Sequence, residues 1–220
     1  MISERLRIAS EFLKGYHYLA DCGTDHALLP IYAIEQGYIK KAIASDNKHH
    51  PLLSAKKNIS EHRLYGEIKT FMADGLSYLN LENDVDVVTV LGMGGPLIVK
   101  ILKEAYLYNV KRMILQPNSQ SKEVREYLEE HKWKIVDEVF LKENDKYYQI
   151  IVCEHGKMKL SDLEKEFGPK ILQKKSDIFK ERVQLMIDQL ASAVEQTNNQ
   201  DTLEKLKERI KFLEEAIQWT

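Results

Sequence analysis

Asp21, Asp46 and Asp74 each follow a short apolar run, and Asp25 and Gly75 stand close behind the first and the last of them. The first of these stretches, residues 16–30 (YHYLADCGTDHALLP), reads as a strand, a sharp turn and the start of a helix, with Thr24 or Asp25 placed to cap it. A glycine at such a turn, here Gly23, lets backbone approach a ligand, and a helix N-terminus offers unpaired N–H groups. A dinucleotide fingerprint would need a second glycine where Asp25 stands, so that a pyrophosphate could sit there. Two carboxylates repel a pyrophosphate. They suit a ligand with positive charge, such as the ammonium and sulfonium of S-adenosylmethionine. Asp46 comes 25 residues after Asp21, near the spacing at which a carboxylate accepts from ribose hydroxyls. Asp74 can accept from an adenine amine, with Gly75 leaving room for the ring. Each aspartate alone also reads as a turn or cap residue. The set indicates an adenosine-containing ligand without a pyrophosphate.

The elements that must position these groups alternate between strand and helix. Strands are expected at residues 16–20, 41–45, 67–72, 85–91 and 110–115, with Asp21, Asp46, Asp74, the glycine-rich run from Gly92 to Gly95, and Gln116, Pro117 and Asn118 at their ends in turn. Residues 85–91 are nearly all β-branched, as in a strand buried on both faces of a parallel sheet. Residues 134–141 and 147–153 alternate apolar and polar about Glu143, Asn144 and Asp145, which predicts a hairpin closing the sheet edge. The expected fold is α/β, a Rossmann-like doubly wound sheet, over residues 1–156. Helices are expected at residues 2–14, with Arg5, Arg7 and Lys14 on the solvated side, and at 52–60 behind Pro51; His49 and His50 flank a surface loop. From about Gly156 the pattern is helical only. Phe179, Val183, Met186, Leu190 and Ala193, then Leu203, Leu206, Ile210, Leu213 and Ile217, step by threes and fours around a turn at residues 197–202. That is an antiparallel helical hairpin with coiled-coil spacing, residues 157–220.

Composition limits the partners. Of 220 residues, 44% are hydrophobic and 30% charged, which describes a globular protein, and no apolar run approaches the roughly 20 residues of a membrane span. Cys22 and Cys153 are isolated from each other and from histidines at metal spacing, so a reduced cytoplasmic setting is expected and a metal is not. The net charge of −2 means that any nucleic-acid contact must come from a local patch. Lys170, Lys174, Lys175 and Arg182 are the candidate patch, within a helical segment whose twelve basic and twelve acidic residues otherwise balance.

DCGTDHALLP, ADGL (residues 73–76), VLGMGGPLI (90–98), MILQPN (113–118) and YYQIIV (147–152) together resemble the bacterial tRNA adenine-N1 methyltransferases that modify adenine 22 in the D-arm. The resemblance spans nearly the whole chain. It implies an S-adenosylmethionine domain followed by a coiled-coil domain that helps to hold tRNA, and it puts Asp21, Gly23, Asp25, Asp46, Asp74, Gly75 and Gly92 on the cofactor side. His26 and Met93 are further candidates to line that site, although they also read as a helix-start histidine and a packing side chain. Cys22, Gly23 and Thr24 stand where the family often has Ile-Gly-Ser, and threonine keeps the hydroxyl. Adenine N1 carries a lone pair and needs no deprotonation, so catalysis should rest on alignment in a dry site. The base must leave its Watson–Crick pair. Asp25, Gln116, Pro117 and Asn118 are the candidate catalytic residues, the two amides being suited to grip an adenine edge. The Asn-Pro-Pro-aromatic run that favours methylation of an exocyclic amine is absent. Other readings are a non-catalytic RNA-binding module, which would have no need of the cofactor aspartates, and a methyltransferase for a small molecule or protein, which has little use for the hairpin. A monomer is favoured.

Overall fold

The computed structural model describes residues 2–82 and 84–219; Met1 and Thr220, at the outer limits of the two expected domains, lie outside the described residues. Seven strands form one sheet in the order β3-β2-β1-β4-β5-β7-β6. The first five, β1 (Tyr18–Cys22), β2 (Lys41–Asp46), β3 (Ile68–Met72), β4 (Val87–Gly94) and β5 (Arg112–Ser119), are parallel, and β7 (Lys146–His155) runs antiparallel between β5 and the edge strand β6 (Trp133–Glu143). All five residues of β1 and the first four of β4 are buried, because helices cover both faces of the sheet. On one face α1 (Glu4–Glu11), α2 (Leu28–Glu35) and α3 (His49–Glu61) pack over Leu19, Ala42, Val87 and Ile114. On the other, α4 (Gly95–Glu104) and α5 (Ser121–Glu130) pack over Ala20, Val88, Met113 and Ile151.

Several element ends differ from expectation, and the differences have local causes. Gly92, Met93 and Gly94 belong to β4, and Gln116, Pro117 and Asn118 belong to β5, where the sequence reads as strand ends. The β4–β5 ladder continues past these glycines and the proline by shifting register at Leu91/Met93 and again at Met93/Gly94. Gly92, at φ +76°, takes the bend. Neither Thr24 nor Asp25 caps α2. Ala27 does so without a side-chain bond, after two successive left-handed residues, His26 and Ala27, at φ 59° and 56°. His49 and His50 open α3 and are exposed. The hairpin turns on Asn144 and Asp145, both left-handed, as a two-residue turn matched to strand twist requires. The hairpin closes the sheet edge, as expected, with β6 outermost.

The helical segment has two parts. Short α6 (Asp162–Phe167) and α7 (Pro169–Lys174) lie against β6 and α5, and only then come the long antiparallel α8 (Asp177–Gln196) and α9 (Gln200–Gln218). Asn199 caps α9, so that helix starts inside the expected turn. The α8–α9 seam is closed at its base, where Phe179, Val183, Leu213 and Ala216 are buried with Phe167 and Ile171, and becomes half-buried towards its tip at Ala193 and Leu203. Lys170 and Lys174 therefore sit on α7 and Lys175 ends it, while Arg182 alone of the four candidate residues is on the long helix.

Candidate active site

Three cavities meet at the carboxyl ends of β1, β4 and β5, where the crossovers from β1 and from β4 diverge to opposite sides. The first, about 380 Å³, is lined by Gly23, Asp46, Asp74, Gly75, Gly92 and Met93, among others. The second, about 260 Å³, lies behind it and takes in Arg5, Asp21, Asp25, Leu29 and Asn118. Cys22, Gly23, Asp25, Leu91 and Gly92 border both. The third, about 590 Å³, is a cleft between the β6–β7 hairpin and the base of the helical arm, with Lys146, Tyr147, Tyr148 and Arg182 on its walls. Arg5 and Asn118 are common to the second cavity and this cleft.

The turn after β1 is fixed by two bonds from Gly23 N and Thr24 N to Ser45 O, each 2.9 Å. Gly23 is at φ +73°, and a Cβ there would overlap the Met93 methyl that covers it. Gly75, at φ +64°, lies against Ile101, while a Cβ on Gly92 would project into open space. Of the three, Gly92 faces open space, while Gly23 and Gly75 let Met93 and Ile101 pack close against the backbone. Asp46 stands at its rim with Oδ1 accepting from Lys48 N at 2.8 Å, and Asp74 is exposed.

Asp21 is not a free strand-end ligand: it is buried inside β1 and its Oδ1 accepts from Thr89 Oγ1 at 2.6 Å. Burial pushes its carboxyl up, the Thr89 hydroxyl pulls it back, and the charge of Asp46 pushes it further up. An ammonium group in the second cavity would favour the carboxylate again. Asp25 is exposed, 3.3 Å from His26 Nε2. Burial, with Asp21, Asp46 and Asp74 nearby, pushes the Cys22 thiol to about 12, which keeps it protonated and unreactive.

Gln116 does not offer its amide to a ligand. It is fully buried; Oε1 accepts from Arg5 Nη1 at 2.9 Å and from Gly92 N at 3.2 Å, and Nε2 donates to Asn118 Oδ1 at 2.9 Å. Asn118 in turn donates from Nδ2 to Gly92 O at 2.7 Å and faces both the second cavity and the cleft. Pro117 is buried opposite Met93 in the bulged ladder. Arg5 is a site residue that the sequence reading placed on the solvated side of α1. Its spacing of four and eight from buried Ala9 and Leu13 puts it on their stripe, and that was the available signal.

The candidate RNA residues do not form one patch. Lys174 Nζ bonds Asp137 Oδ1 at 2.5 Å and Glu138 O at 2.7 Å, which ties α7 to β6. Lys170 and Lys175 border a separate hollow beside Trp219. Arg182 alone reaches the cleft, its guanidinium 5.2 Å from the centre of the Tyr147 ring. Among the described residues no group of three or more His, Cys, Asp or Glu side chains could hold a metal ion, and no helix is long and apolar enough to cross a membrane.

A sheet of this order, with carboxylates and glycines after its first three strands and no pyrophosphate loop, defines a Rossmann-like S-adenosylmethionine-dependent methyltransferase. The family profile of TrmK, tRNA (adenine(22)-N(1))-methyltransferase, matches residues 19–218. The tRNA (adenine(22)-N(1))-methyltransferase of Bacillus subtilis is 31% identical, over 98% of this chain and 97% of its own. A Streptococcus pneumoniae protein described as a tRNA (m1A22) methyltransferase, solved in complex with S-adenosyl-L-methionine, is 38% identical with a TM-score of 0.90, covering 99% of this chain and 100% of that one. TrmK of M. capricolum, solved with the product S-adenosyl-homocysteine, is 31% identical with a TM-score of 0.90, covering 99% and 98%. The chain belongs to the TrmK family of tRNA (adenine(22)-N(1))-methyltransferases. It is an S-adenosylmethionine-dependent enzyme that methylates N1 of adenine 22 in tRNA.

Proposed function

We propose that the cavity of about 380 Å³ holds the adenosine half of the cofactor, that the one of about 260 Å³ receives the amino-acid end and the target base, and that tRNA approaches through the cleft. The observation that carries this is the wall shared by the two smaller cavities at Gly23 and Gly92, where a methyl group could cross. When bound, the cofactor supplies an electrophilic methyl group on a sulfonium. Asp46 accepts from the ribose hydroxyls, and Asp74 from the adenine amine above Gly75. Asp21 and Asp25 hold the ammonium, with His26 beside Asp25. Met93 closes the cavity over Gly23. Asn118 orients the target base, Gln116 fixes Asn118, and Pro117 stiffens the strand that carries them. Adenine N1 attacks through its own lone pair, so no residue need remove a proton first. Residues 1–156 carry the cofactor site and residues 157–220 the arm that helps to hold tRNA. The protein works on tRNA in the cytoplasm, as a monomer.

Asp46→Ala tests the cofactor reading. Loss of charge-assisted bonds to the ribose, about 1.5–3 kcal/mol each, weakens cofactor binding about tenfold or more and leaves tRNA binding near that of the parent. Calorimetry decides it: an unchanged dissociation constant would remove Asp46 from the site.

The RNA path is tested at Lys146 and Arg182, which face the cleft, and not at Lys174, whose ion pair holds α7. Reversing both to glutamate removes about two phosphate contacts. The slope of log affinity for tRNA against log salt should become shallower by about 1.4–1.8 units, with cofactor affinity unchanged. An unaltered slope would move the RNA path to another face, such as that of Lys170 and Lys175.

A further inference from the structure

The Arg5 guanidinium is half-buried and pairs with no carboxylate among the described residues; the backbone N–H of Arg5 donates to Glu143 Oε1 at 3.1 Å. Arg7, Arg112, Arg125 and Arg209 each pair with a glutamate. The contacts of the Arg5 guanidinium are a neutral amide oxygen, Gln116 Oε1 at 2.9 Å, and the face of Tyr148, whose ring centre is 4.7 Å away. Its Nε is buried with no hydrogen-bond partner. A charged group in that state is stabilised by an acceptor that arrives later. The guanidinium also stands, with Asn118, in the partition between the RNA cleft and the base pocket.

We propose that Arg5 positions the target nucleotide by taking a phosphate oxygen beside the base as the base passes from the cleft into the pocket. The exchange is cheap for the site. Gln116 Oε1 keeps its bond from Gly92 N when Arg5 turns away, so no buried acceptor is stranded. The Tyr148 face holds the planar guanidinium in orientation, which leaves its fork of N–H donors to meet a phosphate in two-pronged fashion. Arg5 is carried on α1, whose Ala9 is fully buried, as is Leu13 in the turn that follows, so the side chain projects from a fixed base. This makes Arg5 a positioning residue and gives α1 a part in selecting nucleic acid.

The inference rests on the reading of the smaller cavity as the base pocket, so two variants are measured side by side in the full-length protein. Arg5→Met keeps the apolar stem against Tyr148 and removes the charge. Relative to parent, it should lower kcat/KM for tRNA at least tenfold, leave cofactor affinity within about twofold, and reduce the salt slope of tRNA binding by about 0.7–0.9. Arg5→Lys retains the charge without the fork, so it should restore the salt slope and only part of kcat/KM. Parent-like kcat/KM and slope in Arg5→Met overturn the proposal. So does a loss of cofactor affinity in either variant, which would give the guanidinium to the cofactor's carboxylate, and so does a loss of thermal stability in both, which would mark Arg5 as structural. Asn118→Ala separates the two readings: full turnover there, with kcat/KM still lost in Arg5→Met, removes the base pocket and leaves Arg5 as a phosphate contact.

Discussion

Arg125→Met should lower the midpoint of thermal unfolding by about 6–20 °C. Arg125 and Glu138 are both fully buried, with Nε donating to Glu138 Oε1 at 2.8 Å. The rest of the guanidinium serves the C-terminal end of α6, donating to Lys165 O at 3.2 Å, Glu166 O at 3.1 Å and Phe167 O at 3.2 Å, and also to Gln149 Oε1 at 2.5 Å. Glu138 Oε2 accepts from Lys170 N at 2.9 Å at the start of α7. Burial pushes the Glu138 carboxyl up, against the pull of Arg125 and the N–H groups of Lys170 and Ile171. Removing one member of such a pair strands a buried charge, which costs about 3–5 kcal/mol. In a chain of this size each kcal/mol moves the midpoint by about 2–4 °C. The double variant Arg125→Met with Glu138→Leu should regain part of the loss, because no charge is stranded, but not all of it, because three carbonyls of α6 remain without a donor. A midpoint within 2 °C of parent for the single variant would show that water or repacking replaces the arginine. The same geometry bears on truncation at residue 156, the boundary between the two expected domains. The three α6 carbonyls and the Lys170 N–H that serve this pair lie beyond that residue, so the shortened chain would leave Arg125 with only Glu138 and Gln149 to accept from it.

The sheet was legible because its signals are local. β-branched runs gave the buried strands, and the Asn144-Asp145 turn between alternating segments gave the hairpin. The aspartates stood out because carboxylates after apolar runs mark strand ends in such sheets. What stayed hidden depends on pairing between distant segments. Gly92 and Pro117 read as breakers, yet each β-bulge in the β4–β5 ladder lets the strands run on, which carries Gln116 into the interior as a brace. Asp21 reads as a turn residue, yet its bond to Thr89 on the neighbouring strand holds it inside β1. The basic run from Lys170 to Arg182 was dispersed by the break between α7 and α8 at Lys175, at φ 47°, which turns Arg182 to the cleft and leaves Lys174 on β6. No spacing rule reports a helix break of that kind, whereas the stripe shared by Arg5, Ala9 and Leu13 was there to be read.

Asn118→Ala should reduce kcat by about a hundredfold while the dissociation constant of the cofactor stays within about twofold. The carboxamide is held at both ends, by Gln116 Nε2 on Oδ1 and through its own Nδ2 on Gly92 O, so its plane is set before any base arrives. One N–H of Nδ2 and one lone pair of Oδ1 remain for a ligand, and the residue borders the cavity of about 260 Å³ proposed to receive the base. An asparagine reads adenine in a two-pronged manner by accepting from N6 and donating to N7. That grip uses the edge of the ring away from N1, and so leaves the N1 lone pair free to face the methyl group across Gly92. Methyl transfer creates little net charge, and its barrier depends on the angle and distance of approach; a displacement of about 1 Å can lower the rate about 10²-fold. The Asp46, Asp74 and Gly75 wall of the cofactor cavity is untouched by the substitution, which is why affinity there should persist. The decisive measurement uses tRNA carrying 7-deaza-adenine at position 22. Parent enzyme should lose about tenfold or more in single-turnover rate on this substrate, whereas Asn118→Ala, having no amide to donate, should methylate both substrates at the same slow rate. If the parent makes no distinction between the two, or if Asn118→Ala turns over at the parent's rate, the base is oriented by another group and Asn118 serves only to hold Gly92.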